Sequence, residues 1–193
     1  MSLLEIVAVI FSAVGIWLTT RRLLISWPVT LVACGLYAAV FHREKLYSDM
    51  LLQFVFAAFT LYGWWHWSRG VQQDGKVCVE PLSLRAIAVG IAAGAAGSVL
   101  LGSLMAHYSD AAIPHIDAAL TSFSLVATVW AARKHIANWW LWIVVDTNYT
   151  GVFAYKHLYL TSALYLFFVF LALLGLRDWQ RAFRQQQLAT VNS

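Results

Sequence analysis

The sequence has little charge and little cysteine, and both shortages narrow the class of protein. Only 11% of its 193 residues are charged, whereas 61% are hydrophobic and ten are tryptophan. A soluble globular domain of this length cannot hide so much apolar surface, so the composition indicates an integral membrane protein. Cys34 and Cys78 fall on segments that are not expected to meet, so we expect neither a disulfide nor a metal site.

Basic residues are missing from the deep parts of the apolar runs, and the chain has no glycine-rich phosphate loop. We therefore expect no phosphate clamp inside the membrane and no ATP-driven pumping within this chain. The net charge of +4 comes from short basic clusters between apolar runs, a pattern typical of membrane topology and not of a nucleic-acid partner. No paired carboxylates, metal-ligand cluster or Ser/His pair falls at one depth, so we expect no catalytic residues, no cofactor and no enzyme.

Seven apolar runs have about the length that a helix needs to cross a bilayer. They predict an all-α integral membrane fold surrounded by lipid. Ten of the thirteen lysines and arginines lie on one side of these runs, which predicts a multi-pass protein with its N-terminus outside and its C-terminus in the cytoplasm. The predicted spans are Leu3–Thr20, Leu24–Phe41, Tyr47–Trp67, Leu82–Ala106, Ala112–Ala132, Ala137–Ala154 and Tyr159–Arg177.

The chain also repeats itself. Sliding the first part of the sequence along the second until Trp27 meets Trp139 also aligns Tyr37 with Tyr149 and Trp67 with Trp179, without any gap. We call residues that align in this way equivalent. Because an odd linker span separates the halves, the two three-helix repeats should be parallel, in a 3+1+3 arrangement. The predicted parts are a first bundle at residues 3–67, a linker helix at 82–106, a second bundle at 112–179 and a cytoplasmic tail at 180–193.

A substrate site between two such bundles would lie near the membrane midplane, where polar side chains persist mainly if they face a cavity. At about 100° per residue, one stripe of the third span carries polar and aromatic side chains within an arc of about 80°. The predicted site residues of this stripe are Asp49, Gln53, Thr60, Trp64 and Trp67. Trp67 has a plainer interpretation as an anchor at the membrane surface, and Gln53 as a partner for a neighbouring helix.

The sixth span adds Asp146 and Asn148 as further candidates, because they replace Cys34 and Leu36 of the first repeat. The two side chains lie far apart around the helix, so both can face one cavity only if the helix is broken. Of the two, Asn148 is slightly favoured. Either aspartate, Asp49 or Asp146, could instead be a partner between helices.

Three motifs carry a resemblance to a known family. The chain has Trp64-Trp65-His66-Trp67 at the end of the third span, DTNYTG at residues 146–151, which includes Tyr149, and GLRDW ending at Trp179. Over nearly all of residues 3–184 it resembles the PnuC family of nicotinamide riboside transporters, whose topology is similar to that of the SWEET sugar transporters. The resemblance implies facilitated diffusion across the bacterial inner membrane, trapping by a separate cytoplasmic kinase, a homotrimer, and Tyr149 among the substrate-binding residues.

The implied substrate suits the candidate residues. Nicotinamide riboside is a flat cation without phosphate, so tryptophan faces can stack on its ring and attract its charge. Gln53 and Asn148 could bond its carboxamide or ribose, and Asp49 or Asp146 could accept from ribose hydroxyls. The mononucleotide should be excluded because no cation would meet its phosphate. Carriers of thiamine or riboflavin share the architecture and remain alternatives, and an integral-membrane enzyme is a more distant one.

Overall fold

The computed structural model describes the chain except for residues 1–2, 44, 46, 73, 109–112 and 192–193, so the predicted start of the second bundle at Ala112 lies outside the described residues. The described residues form seven helices, which confirms the all-helical fold. The helices are α1 Leu3–Thr20, α2 Ser26–Arg43, α3 Tyr47–Ser68, α4 Leu84–Tyr108, α5 Pro114–Ala132, α6 Asn138–Tyr155 and α7 Tyr159–Val191. The last helix continues through most of the predicted tail.

Four of these helices, α1, α4, α5 and α7, are long and apolar enough to cross a membrane. The other three have 18, 22 and 18 residues and are therefore also of spanning length. Their hydropathy is lower because they carry polar side chains such as Gln53 in α3 and Asp146 in α6.

Equivalent positions of the two halves share their backbone geometry. The first and last residues of α6 are the equivalents of the first and last residues of α2. The turns after α1 and α5 contain the equivalent residues Arg22 and Lys134, with φ of 62° and 64°, and the turns before α3 and α7 contain Lys45 and His157, with φ of 59° and 58°. These left-handed residues end a helix and redirect the chain in the same way in each half.

Six of the helices form a ring. In the described part of the chain, α1 packs on α2 and α2 on α3, while α5 packs on α6 and α6 on α7. Contacts of α3 with α5 and of α7 with α1 close the ring in the order α1, α2, α3, α5, α6, α7. Each half thus contributes three consecutive helices, and α2 and α6 lie at the centres of their halves.

The remaining helix, α4, lies outside the ring and packs on α5. Its glycines allow a close approach: a Cβ at Gly90 would collide with the Trp130 ring, and one at Gly94 would lie 2.6 Å from Phe123. Small residues are how helices approach each other in lipid, where no hydrophobic effect drives them together. The rest of α4 exposes large apolar side chains, among them Leu84, Val89 and Val99.

The most enclosed part of the fold lies at the end of the ring where α1 and α5 finish, which we call the tryptophan end. Its centre is the tryptophan cluster, Trp27, Trp67, Trp139 and Trp179. Trp67 meets Trp27 edge to face with ring centroids 5.2 Å apart, and Trp179 meets Trp139 in the same way at 5.5 Å. Trp67 and Trp179 are 5.9 Å apart, so the two pairs join across the halves.

Candidate functional site

The polar stripe of α3 lies on the side of the helix away from its apolar surface. Leu51, Phe54 and Val55 are exposed and lie within about 100° of one another around the axis, as expected of a face that meets lipid. The predicted stripe from Asp49 to Trp67 is centred about 180° from that face. Because α3 is a member of the ring, this side of the helix points toward the ring interior.

The depth of burial differs along the stripe. Asp49 is exposed and Gln53 is half-buried, whereas Thr60 is 2% exposed and donates to the Phe56 carbonyl of its own helix at 2.8 Å. Trp64 is 37% exposed, so part of its indole ring is not covered by other residues of the chain. Trp67 is fully buried in the tryptophan cluster, and no face of its ring is open in this conformation.

Trp67 bonds the opposite half of the molecule. Its indole N–H donates to the Ala131 carbonyl at 3.1 Å, and Trp179 donates to the Thr19 carbonyl at 3.0 Å. The two donors are equivalent residues, and so are the two acceptors. These reciprocal bonds hold α3 to α5 and α7 to α1, so in this conformation Trp67 is a structural contact between halves.

The candidates on α6 point in different directions. Asp146 is 6% exposed and lies on the same side of α6 as the inward-facing Tyr149 and Trp139. Asn148 is exposed and donates to the Val144 carbonyl of its own helix at 2.8 Å. It shares the outer face of α6 with Val144 and Trp140, so the structure does not bring it together with Asp146.

An aromatic group surrounds the inner side of α6 beyond Asp146. The Tyr149 and Tyr165 rings have centroids 4.7 Å apart, Phe153 is 5.1 Å from Tyr165, and Phe168 is 5.7 Å from Tyr165. Tyr149 also lies within hydrogen-bonding reach of Thr121 in α5. These contacts make an aromatic wall between α6 and α7, which reaches α5 through Thr121.

Sequence reasoning missed Tyr165 as a site candidate. It is the equivalent of Gln53, so each half places a polar side chain at the same position of its third helix. That pairing was the available signal, but a tyrosine among the phenylalanines and leucines of α7 is also typical of ordinary packing.

Several acidic and phenolic groups converge inside the ring. Asp146 interacts electrostatically with both Tyr149 and Tyr165. Tyr149 also interacts electrostatically with Asp49 of α3 and Asp117 of α5. Tyr165 is close enough to Tyr37 to interact with it, although the described residues of α2 and α7 do not pack on each other. Side chains on opposite sides of the ring therefore lie within electrostatic range of one another across its interior.

The tryptophan end is covered by the segment between α3 and α4. This connecting strap, the described residues from Arg69 to Ser83, forms β-bridges from Lys76 to Leu23 and from Glu80 to His135. Leu23 and His135 are equivalent residues, so the strap pairs with the same turn of both halves. Buried strap residues Val77 and Val79 belong to the same apolar core as the four tryptophans.

The turn after α5, which contains Lys134 and His135, is also partly buried at the tryptophan end. Burial lowers the pKa of the Lys134 ammonium, and the charge of Glu80 opposes that effect. Burial likewise lowers the pKa of the His135 imidazole below its ordinary value. The polar groups at this end are thus partly dehydrated, which is consistent with a closed passage.

A separate cavity of about 450 Å³ lies outside the ring, between α4 and α5. Apolar side chains such as Phe59, Val89 and Leu125 line most of it, with Arg133 and His135 also in its lining. It contains none of the predicted site residues. We therefore take the ring interior, and not this groove, as the candidate site.

Comparisons with known proteins agree on one family. Residues 2–181 match the family model described as nicotinamide mononucleotide transporter. The nicotinamide riboside transporter PnuC of Escherichia coli (strain K12) is 26% identical, covering 96% of this chain and 88% of the relative. The riboflavin/roseoflavin transporter RibM of Streptomyces davaonensis is 30% identical, covering 91% of this chain and 83% of the relative.

A solved structure shares the fold. The crystal structure of the vitamin B3 transporter PnuC superposes with a TM-score of 0.76 and 21% identity, covering 94% of this chain and 82% of the other. At that identity the likeness concerns the arrangement of helices alone.

Proposed function

Since the chain belongs to the nicotinamide mononucleotide transporter family, we propose that this membrane protein carries nicotinamide riboside across the bacterial inner membrane. The observation that supports the proposal most is the near full-length relationship to a riboside transporter, together with an inner stripe of polar and aromatic side chains. The described ring interior holds carboxylates, phenols and indoles but no lysine or arginine, and a phosphate there would be unpaired. We therefore favour the riboside over the mononucleotide.

Purified protein in liposomes tests this proposal. Labelled nicotinamide riboside should enter protein-containing vesicles faster than empty ones, and unlabelled riboside should compete, whereas the mononucleotide should not. Equal uptake by empty and protein-containing vesicles would refute the function. Competition by the mononucleotide as strong as that by the riboside would refute the selectivity argument alone.

A second candidate is riboflavin transport, because the riboflavin/roseoflavin relative is 30% identical over 183 residues. The same liposomes distinguish the two candidates if riboflavin and thiamine are included as competitors. Stronger competition by riboflavin than by the riboside would favour this second function. Both candidates use the same fold and the same ring interior.

For the transport mechanism, we propose that α1–α3 and α5–α7 are parallel repeats that rock about the site, with α4 as the linker. The reciprocal bonds from Trp67 to Ala131 and from Trp179 to Thr19 support this pseudo-twofold relation. The charge distribution supports an orientation with the tryptophan end in the cytoplasm and the N-terminus outside. On this view the described state is closed to the cytoplasm by the tryptophan cluster and the connecting strap.

The exposed apolar surface of α4 favours the further proposal that copies of the chain assemble through this helix. Leu84 is 85% exposed and Val99 is 69% exposed. Light scattering of the detergent-solubilised protein would give the mass of the assembly. A monomer at all concentrations would refute a stable homotrimer.

A further inference from the structure

Asp146 carries a buried carboxylate that nothing in the described chain neutralises. It is the ninth residue of the eighteen in α6, so it lies near the middle of the helix. Its side chain is 6% exposed, and among the described residues its carboxylate has no hydrogen bond or ion pair. Carboxylates at this depth in a membrane are costly and usually mark a pathway for an ion or a substrate.

The groups around Asp146 offer it no positive charge. The side chains that interact electrostatically with it are Tyr149 on the next turn of α6 and Tyr165 of α7, which are neutral phenols. Farther toward the start of α5 and α3, Asp117 and Asp49 add negative charge. No side chain of the described interior therefore supplies a counter-charge to ionised Asp146, and a bound cation can supply it.

The same surroundings suit a flat cation. Tyr149 and Tyr165 form the closest aromatic pair of this wall, and their rings can attract a delocalised positive charge through their faces. In the first half the equivalent position holds Cys34, which is neutral. The mid-depth carboxyl group is therefore present once and not twice, and in its ionised form it matches a ligand with one positive charge.

We propose that Asp146 is the counter-charge for the positively charged ring of the substrate, and that it makes the transporter prefer a cationic nucleoside over a neutral one of the same shape. This inference rests on the proposed function, because it assigns a role within the same site. It goes beyond that function because it identifies the permanent positive charge of the substrate as the property that is recognised, and Asp146 as the residue that recognises it.

The test compares nicotinamide riboside with its neutral 1,4-dihydro form, which has the same carboxamide and ribose. Calorimetry on detergent-purified protein should show tighter binding of the cation to the wild type. In Asp146→Asn the affinity for the cation should fall at least about tenfold, because one partner of a buried charge pair is lost. The affinity of Asp146→Asn for the neutral form should stay within about threefold of the wild-type value, since this ligand has no positive charge for Asp146 to pair with.

Two further variants separate this role from a structural one. Asp146→Glu keeps the charge and should keep the preference for the cation. Asp74→Asn removes one negative charge from the exposed strap, where Asp74 lies 4.0 Å from Lys76, and should leave both affinities unchanged.

Three results would overturn the inference. Equal losses of affinity for the two ligands in Asp146→Asn would indicate general damage to the site. Unchanged affinity for the cation would show that the carboxylate does not recognise the charge of the ligand. If the wild type bound neither ligand, the proposed function itself would fail, and that outcome appears before any variant is compared.

Discussion

Replacing Trp67 by phenylalanine should weaken the contact between the two halves. The indole N–H donates to the Ala131 carbonyl at 3.1 Å, but that carbonyl also accepts from the Lys134 amide at 2.9 Å. The Ala131 carbonyl thus keeps one hydrogen bond in the variant, and loss of the indole hydrogen bond lowers the free energy of unfolding by about 0.5–1.5 kcal/mol. The smaller ring leaves a cavity of about 40 Å³, which costs about 1 kcal/mol, and the lost burial of its atoms costs about as much again.

The sum is about 2.5–3.5 kcal/mol, which corresponds to a decrease in Tm of roughly 5–14 °C for a chain of this size. The assay is the fraction of protein that elutes as a single species from size-exclusion chromatography after heating in detergent. Trp140→Phe is the matched control, since Trp140 is 58% exposed on the outer face of α6. If both variants lose their single species at closely similar temperatures, the tryptophan cluster does not hold the halves together.

Three further results are expected. A larger side chain at Gly63 should prevent folding, because even a Cβ there would collide with the Trp27 ring. The yield of monodisperse Gly63→Val protein measures this effect. Gly35→Ala is the control, because a Cβ at Gly35 would have no atom within 4 Å. Trp64→Ala should weaken riboside binding roughly 5- to 150-fold if the exposed indole stacks on the ligand, as aromatic stacking on a base is worth about 1–3 kcal/mol. Asn148→Ala should change the same calorimetric affinity less than about twofold, and a larger loss would show that its outer face reaches the substrate.

The helices and the family were predictable from the sequence, because both depend on long apolar runs and on motifs whose residues are contiguous. The predicted bounds agree with α1 at both ends and with α3 to within one residue. The match of residues 2–181 to the transporter family confirms the expected relationship. Hydropathy alone also limits what can be predicted, since α2, α3 and α6 have lower values because of polar residues, only some of which face inward.

The direction and enclosure of individual side chains were not predictable to the same degree. Helical periodicity correctly separates Asp146 from Asn148, but it does not say which of them faces inward until the neighbours of α6 are known. Trp67 illustrates a second limit: a tryptophan near a helix end is typical of a membrane anchor, yet here residues of both halves and of the connecting strap enclose it completely. Its burial depends on the ring closure by α3 with α5, which no local pattern contains.

The two halves differ where a ligand would be recognised and agree where the halves must pack. Trp27 and Trp139, and likewise Gly63 and Gly175, are identical pairs, and a Cβ at either glycine would collide with the tryptophan of its own half. Three inward positions diverge instead: Cys34 is replaced by Asp146, Gln53 by Tyr165 and Trp64 by Leu176. Symmetric packing gives the halves equivalent hinges and contacts, while a charge on one side and an amide on the other can bind a molecule whose two ends differ. Making the interior symmetric, by Asp146→Cys with Tyr165→Gln, should therefore abolish riboside binding yet leave the heat resistance of the tryptophan end close to that of the wild type.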